Sequence, residues 1–99
     1  MAIVDIEEFA ASGFITGPVP VGVQPSNTTQ RLTTSASSQQ TSAFQANTNM
    51  VRIHTDGIIA YKFGINPTVV AATDARMSAN VTEYHAVTPG LKVALITST

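Results

Sequence analysis

The sequence contains no cysteine and no tryptophan. Without cysteine there can be neither a disulfide framework nor a thiolate metal site, and the absence fits a reducing compartment. Charge is also scarce: charged residues make up 11% of the chain, against about 25% in ordinary soluble domains. A net charge of −1 and a pI near 6.0 leave no broad basic footprint, so nucleic acid is not an expected partner. No apolar run approaches the roughly 18 residues that a membrane-spanning helix needs. The opening Met1-Ala2-Ile3-Val4-Asp5-Ile6-Glu7-Glu8 places acid where a signal peptide carries base.

What is present is apolar and neutral-polar. The chain has 99 residues, 43% of them apolar, which makes one domain with a small core. Conformational entropy costs about 1–2 kcal/mol per ordered residue for the backbone alone, so such a chain must bury most of its apolar surface or borrow surface from a partner. Ser, Thr, Asn and Gln take the solubilising role usually held by charge. Two readings follow: a neutral polar surface, or a surface much of which is interface.

The chain divides at residue 25 into an extended N-terminal arm, residues 1–25, and a single β domain, residues 26–99. Within the arm, Ile3, Ile6 and Phe9 or Ala10 have helical spacing and suggest one turn near Ile6 to Ala11, stopped by Ser12-Gly13. From Phe14 to Pro25 there are three prolines and two glycines, which forbid a helix or a central strand. Alternating Val and Pro suits a polyproline-like path. Phe14, Ile15, Val19, Val21 and Val23 then need burial that local structure cannot provide, which suggests partner-binding residues lying on a neighbouring surface, the alternative being a loosely packed edge of the same domain.

Residues 26–49 are polar and Thr-rich, with Leu32, Ala43 and Phe44 as apolar anchors; two short strands are expected, near 29–36 and 40–46. Met50-Val51-Arg52-Ile53-His54 and Ile59-Ala60-Tyr61-Lys62-Phe63 both alternate, with Asp56-Gly57 between them. A hairpin with a three-residue loop pairs Ile53 with Ile59 and collects Val51, Ile53, Ile59, Tyr61 and Phe63 on one apolar face. Because side-chain period is two, that register excludes the pairing of Ile53 with Ala60. Gly64-Ile65-Asn66-Pro67-Thr68 reads as a turn, and Val69 to Met77 as either a strand or a helical turn. Val81 to Val87 reads as a strand, Pro89-Gly90 as a tight turn, and Leu91 to Thr97 as a strand apolar on both faces, hence central. Together these predict an all-β fold, a small β-sandwich or jelly-roll-like barrel.

No catalytic constellation can be assembled, so an enzyme is not expected, and neither metal nor cofactor is implied. Arg52, His54 and Asp56 lie two apart, but they offer two metal ligands where structural zinc takes four. Glu83 and His85 share a strand face with Tyr84 opposite, an exposed or interface-facing pair. Asp5, Glu7 and Glu8 lack a carboxylate partner and a cleft, and read as a soluble turn or contacts to a basic neighbour.

A resemblance enters through four segments: Val51-Arg52-Ile53-His54-Thr55, Phe63-Gly64-Ile65-Asn66-Pro67-Thr68, Arg76-Met77-Ser78-Ala79-Asn80-Val81-Thr82-Glu83-Tyr84, and Lys92-Val93-Ala94-Leu95-Ile96. These resemble small virion proteins of tailed bacteriophages, over about half the chain and without a catalytic motif. The resemblance implies a structural protein of the particle, with capsid decoration or cement favoured. It further implies the major capsid protein as partner, a homo-oligomer (dimer or trimer), and a location on the phage head surface after assembly in the bacterial host cytoplasm. The alternatives are a tail, neck or head-fibre-base component, or a receptor- or carbohydrate-binding module; sparse aromatic residues speak against the last.

Overall fold

A computed structural model describes residues 2–10 and 26–99. Their regular structure is entirely β: β1 (Ile3–Phe9), β2 (Thr28–Thr33), β3 (Gln39–Gln40), β4 (Met50–Thr55), β5 (Ile59–Gly64), β6 (Ala75–Met77), β7 (Val81–Ala86) and β8 (Lys92–Thr97). They form two antiparallel four-stranded sheets, ordered β2-β1-β4-β7 and β3-β8-β5-β6. From β2 to β5 the chain alternates between sheets, β5 to β6 stays within one, and β6 to β8 alternates again. That wrapping is jelly-roll-like, with β1 filling the place between β2 and β4.

The two sheets bury one core. Val4 and Ile6 of β1 and Val51 and Ile53 of β4 face Ile59, Met77, Val93 and Leu95 of the second sheet, with Phe44 and Val87 closing the ends. Each fully buried aliphatic side chain of this kind contributes about 1.5–3 kcal/mol. A smaller cluster covers the back of the second sheet, where Ala60, Ala94 and Ile96 pack beneath Val69 and Ala71. The apolar run of β8 is thereby explained: Val93 and Leu95 face inward, Ala94 and Ile96 face the covering segment.

Polar residues stitch the interior as well. The Thr34 hydroxyl accepts from the Ala2 backbone N–H at 2.9 Å and lies 2.8 Å from the Thr97 hydroxyl. Thr41 Oγ1 accepts from Val93 N–H at 3.1 Å, and Thr55 Oγ1 donates to the Gly57 carbonyl at 2.6 Å. Thr34, Thr41, Thr48 and Thr55 are all buried. Part of the neutral-polar composition therefore serves the fold itself.

Several expectations need correction. Residues 3–9 are strand β1, not an arm with a helical turn, and β1 is hydrogen-bonded on both sides, to β2 and β4. Ala2, Val4, Ile6 and Phe9 are buried in the chain's own fold. The helical spacing of Ile3, Ile6 and Phe9 misled because Ile3 faces outward and an inward position is held by Glu8, which hides the alternation. The hairpin at Asp56-Gly57 is also absent: Ile53 pairs with Ile6 and Glu83, while Ile59 pairs with Met77 and Thr97. β4 and β5 face each other across the core rather than lying side by side, so the shared apolar face is real and the pairing is not. The strand expected near 40–46 shrinks to Gln39–Gln40, and Val69 to Met77 resolves into a turn followed by β6.

Candidate functional site

The outer face of the first sheet holds much of the sparse charge. Antiparallel register aligns Arg31, Asp5, His54 and Thr82 in one cross-strand row, and Thr29, Glu7, Arg52 and Tyr84 in the next. Directly opposed side chains in a sheet are neighbours, and the rows pair accordingly. Arg31 Nε meets Asp5 Oδ1 at 2.6 Å, Arg52 meets Glu7 at 3.2 Å, and His54 Nδ1 lies 2.8 Å from the Thr82 hydroxyl. The hydrogen bond to Asp5, and then its charge, hold the Arg31 guanidinium above its ordinary pKa. Asp56 stands apart: its carboxylate accepts the Ile3 N–H at 2.7 Å and pins the start of β1. Arg52, His54 and Asp56 thus have three separate partners and form no ligand set.

The inner face of β7 carries the most concentrated chemistry. Glu83 and His85 share it, as the period of two requires, and Tyr84 points outward with 62% exposure. Glu83 Oε1 accepts from the Tyr61 hydroxyl at 3.0 Å and lies 3.1 Å from His85 Nε2. Tyr61 sits edge-on to His85 and to Phe63, with ring centroids 5.3 and 5.9 Å away, and Phe63 lies 5.1 Å from His85. Burial first, and the Glu83 carboxylate second, push the Tyr61 phenol above its usual pKa. The group is a half-buried carboxylate flanked by an imidazole and a phenol, against an aromatic floor. It can accept and donate hydrogen bonds, and Glu83 Oε1 is the shared partner of the Tyr61 hydroxyl and the His85 imidazole.

The third polar centre is Glu8. Its side chain is fully buried, yet each oxygen is engaged: Gln30 Nε2 donates to Oε2 at 2.9 Å, while the Gln45 N–H and the Thr48 hydroxyl each donate to Oε1 at 2.9 Å. Asn27 donates to Thr48 at 3.0 Å and accepts from Asn47 at 3.1 Å, which extends the network outward. Sequence reasoning grouped Glu8 with Asp5 and Glu7; the strand separates them, two onto the outer face in ion pairs and one into the interior.

Among the described residues no group of three or more potential ligands could hold a metal ion. A shallow concavity lined by Ala71, Ala72, Arg76, Thr97, Ser98 and Thr99 has one guanidinium and otherwise only small and hydroxyl side chains. The partner-binding residues expected from the sequence, Phe14, Ile15, Val19, Val21 and Val23, lie outside the described residues. Comparison with protein-family models, with curated proteins and with solved structures finds no match.

Proposed function

We propose that this chain is a structural protein of a tailed-phage particle, a decoration or cement protein bound to the major capsid protein on the head surface. The observation that carries the reading is where the chain spends its length. Glu8 and Thr28 pair directly across β1 and β2, so a turn of a few residues would join the strands, yet residues 10–27 intervene. Connections that long are uncommon in compact domains and are usually either functional or linker segments, and the apolar content here favours the first. This one carries Phe14, Ile15, Val19, Val21 and Val23 among its prolines. In the proposal these apolar residues bind the neighbouring capsid subunit, and the β-sandwich is the body that presents them.

Two further points support the reading. Residues 51–96 resemble small phage virion proteins in four segments. The polar clusters of the described residues are bonded within the fold: Glu8 to Gln30, Gln45 and Thr48, and Glu83 to Tyr61 and His85. Cement action needs no chemistry: contacts made only with the expanded shell stabilise that shell by mass action. Particles prepared without the protein should release their DNA at lower temperature than complete particles, and complete particles should carry hundreds of copies. Equal release temperatures would overturn cement action, and a stoichiometry of a dozen or fewer would move the protein to the neck or tail.

A further inference from the structure

We propose that two copies of this chain pair through β7, antiparallel and about a two-fold axis at Tyr84, to make one continuous sheet. The proposal goes beyond the particle reading and does not depend on it.

β7 is the six-residue edge strand of the first sheet, with no described strand on its outer side. The edges of the second sheet are two and three residues long. The other edge of the first sheet, β2, is also six residues long, but it carries the exposed, charged Arg31, and charge of this kind blunts an edge. β7 has no proline, lysine or arginine, and open edges of this kind are templates for pairing.

Its geometry selects the register. The Val87 N–H donates to the Asn49 carbonyl at 3.0 Å, in line with the register that pairs Met50 with Ala86. In an antiparallel ladder, hydrogen-bonded pairs alternate with non-bonded ones. Residues 81, 83 and 85 therefore bond to β4, and the main-chain groups of Thr82, Tyr84 and Ala86 point to the open edge. Tyr84 and Ala86 are exposed there.

A second β7 docking on those groups must pair even-numbered residues with even-numbered ones. With the axis at Tyr84, Tyr84 opposes its own copy and Thr82 opposes Ala86. The intervening non-bonded pairs then set each Glu83 against the other copy's His85, on the inner face. Moving the axis by one residue puts Glu83 against Glu83, or His85 against His85. Only the Tyr84-centred register matches carboxylate to imidazole in both pairs, and two-fold symmetry makes the match twice.

The natural chain has no cysteine, so cross-linking can be read without background. Opposed residues in a hydrogen-bonded pair have Cα atoms about 5.5 Å apart, within disulfide range. Mild oxidation should link Tyr84→Cys into a covalent dimer, while Val70→Cys, at another exposed position, stays monomeric. By light scattering the natural chain should show twice its 10.4 kDa mass at high micromolar concentration. Ala86→Pro, which removes an outward N–H, should shift it toward monomer, with melting unchanged at dilutions where the natural chain is itself monomeric. His85→Glu should also give monomer, and Glu83→His with His85→Glu should restore the dimer. A monomeric natural chain, or equal cross-linking at positions 84 and 70, would overturn the pairing.

Discussion

Glu8 occupies an inward-facing place on β1, two residues beyond Ile6, where the pattern of the sandwich calls for an aliphatic side chain. A buried carboxylate is tolerable only when its oxygens are bonded, and three donors from β2 and the 45–48 segment meet that need. The carboxylate thus ties β1 to β2 and to the loop beyond Phe44. Replacing it with an apolar residue of similar size takes the acceptor from the buried Thr48 hydroxyl and from the part-buried bonds of Gln30 and Gln45, and each buried donor left unpaired costs about 1–3 kcal/mol. Glu8→Leu should therefore destabilise the chain by roughly 2–5 kcal/mol in urea titration, despite the gain in hydrophobicity. Glu8→Gln should cost less, about 1–2 kcal/mol, because its amide oxygen can serve Gln45 and Thr48 while its NH₂ opposes Gln30. Gln30 cannot turn its own oxygen inward without losing the Ser42 N–H. Equal stability of the natural chain and Glu8→Leu would remove this role for the carboxylate.

At the scale of elements, β1 separates what residues 2–10 do from what residues 11–25 do. β1 lies between β2 and β4 and places Val4 and Ile6 in the core. Losing it would expose a ladder on each neighbour and remove aliphatic burial worth about 1.5–3 kcal/mol per side chain, against a total stability that is typically 5–15 kcal/mol. Deleting residues 2–9 should leave a chain without a cooperative melting transition. Replacing residues 11–25 with a short Gly- and Asn-containing turn should preserve the transition, since Glu8 and Thr28 already pair. Loss of folding in the second variant would show that the insertion belongs to the core.

The same elements show what could be read from the sequence. Side-chain alternation identified the inward faces of β4 and β5, and the doubly apolar β8 was recognisably central. The partner of each strand was not legible. Val51 and Ile53 meet Ile59 across the core, and a lateral neighbour would have offered the same apolar contact. Glu83 and His85 were legible as one face, but Tyr61 joins them from the other sheet, 22 residues away, and no local signal announces that contact.

The whole molecule is assembled from strands that are distant in sequence. β1 pairs with β4, β4 with β7, β3 with β8 and β5 with β8. Even the chain-adjacent pairs are widely joined: residues 10–27 separate β1 from β2, and residues 65–74 separate β5 from β6. Among the described residues there is no tight hairpin to serve as a local start. Each ladder must therefore close a long loop before its contacts repay the lost entropy, and folding slows as mean sequence separation grows. Refolding from urea at 25 °C should be slow for a chain of this length, with a main phase on the order of 0.1–10 s. Five prolines should add a slower phase of tens of seconds from chains that isomerised while unfolded. Stopped-flow circular dichroism measures the main phase, and a double-jump experiment with a brief unfolding pulse should suppress only the slower one. A main phase faster than a millisecond would mean that local structure leads the folding, and the two-sheet pairing described here supplies no such structure.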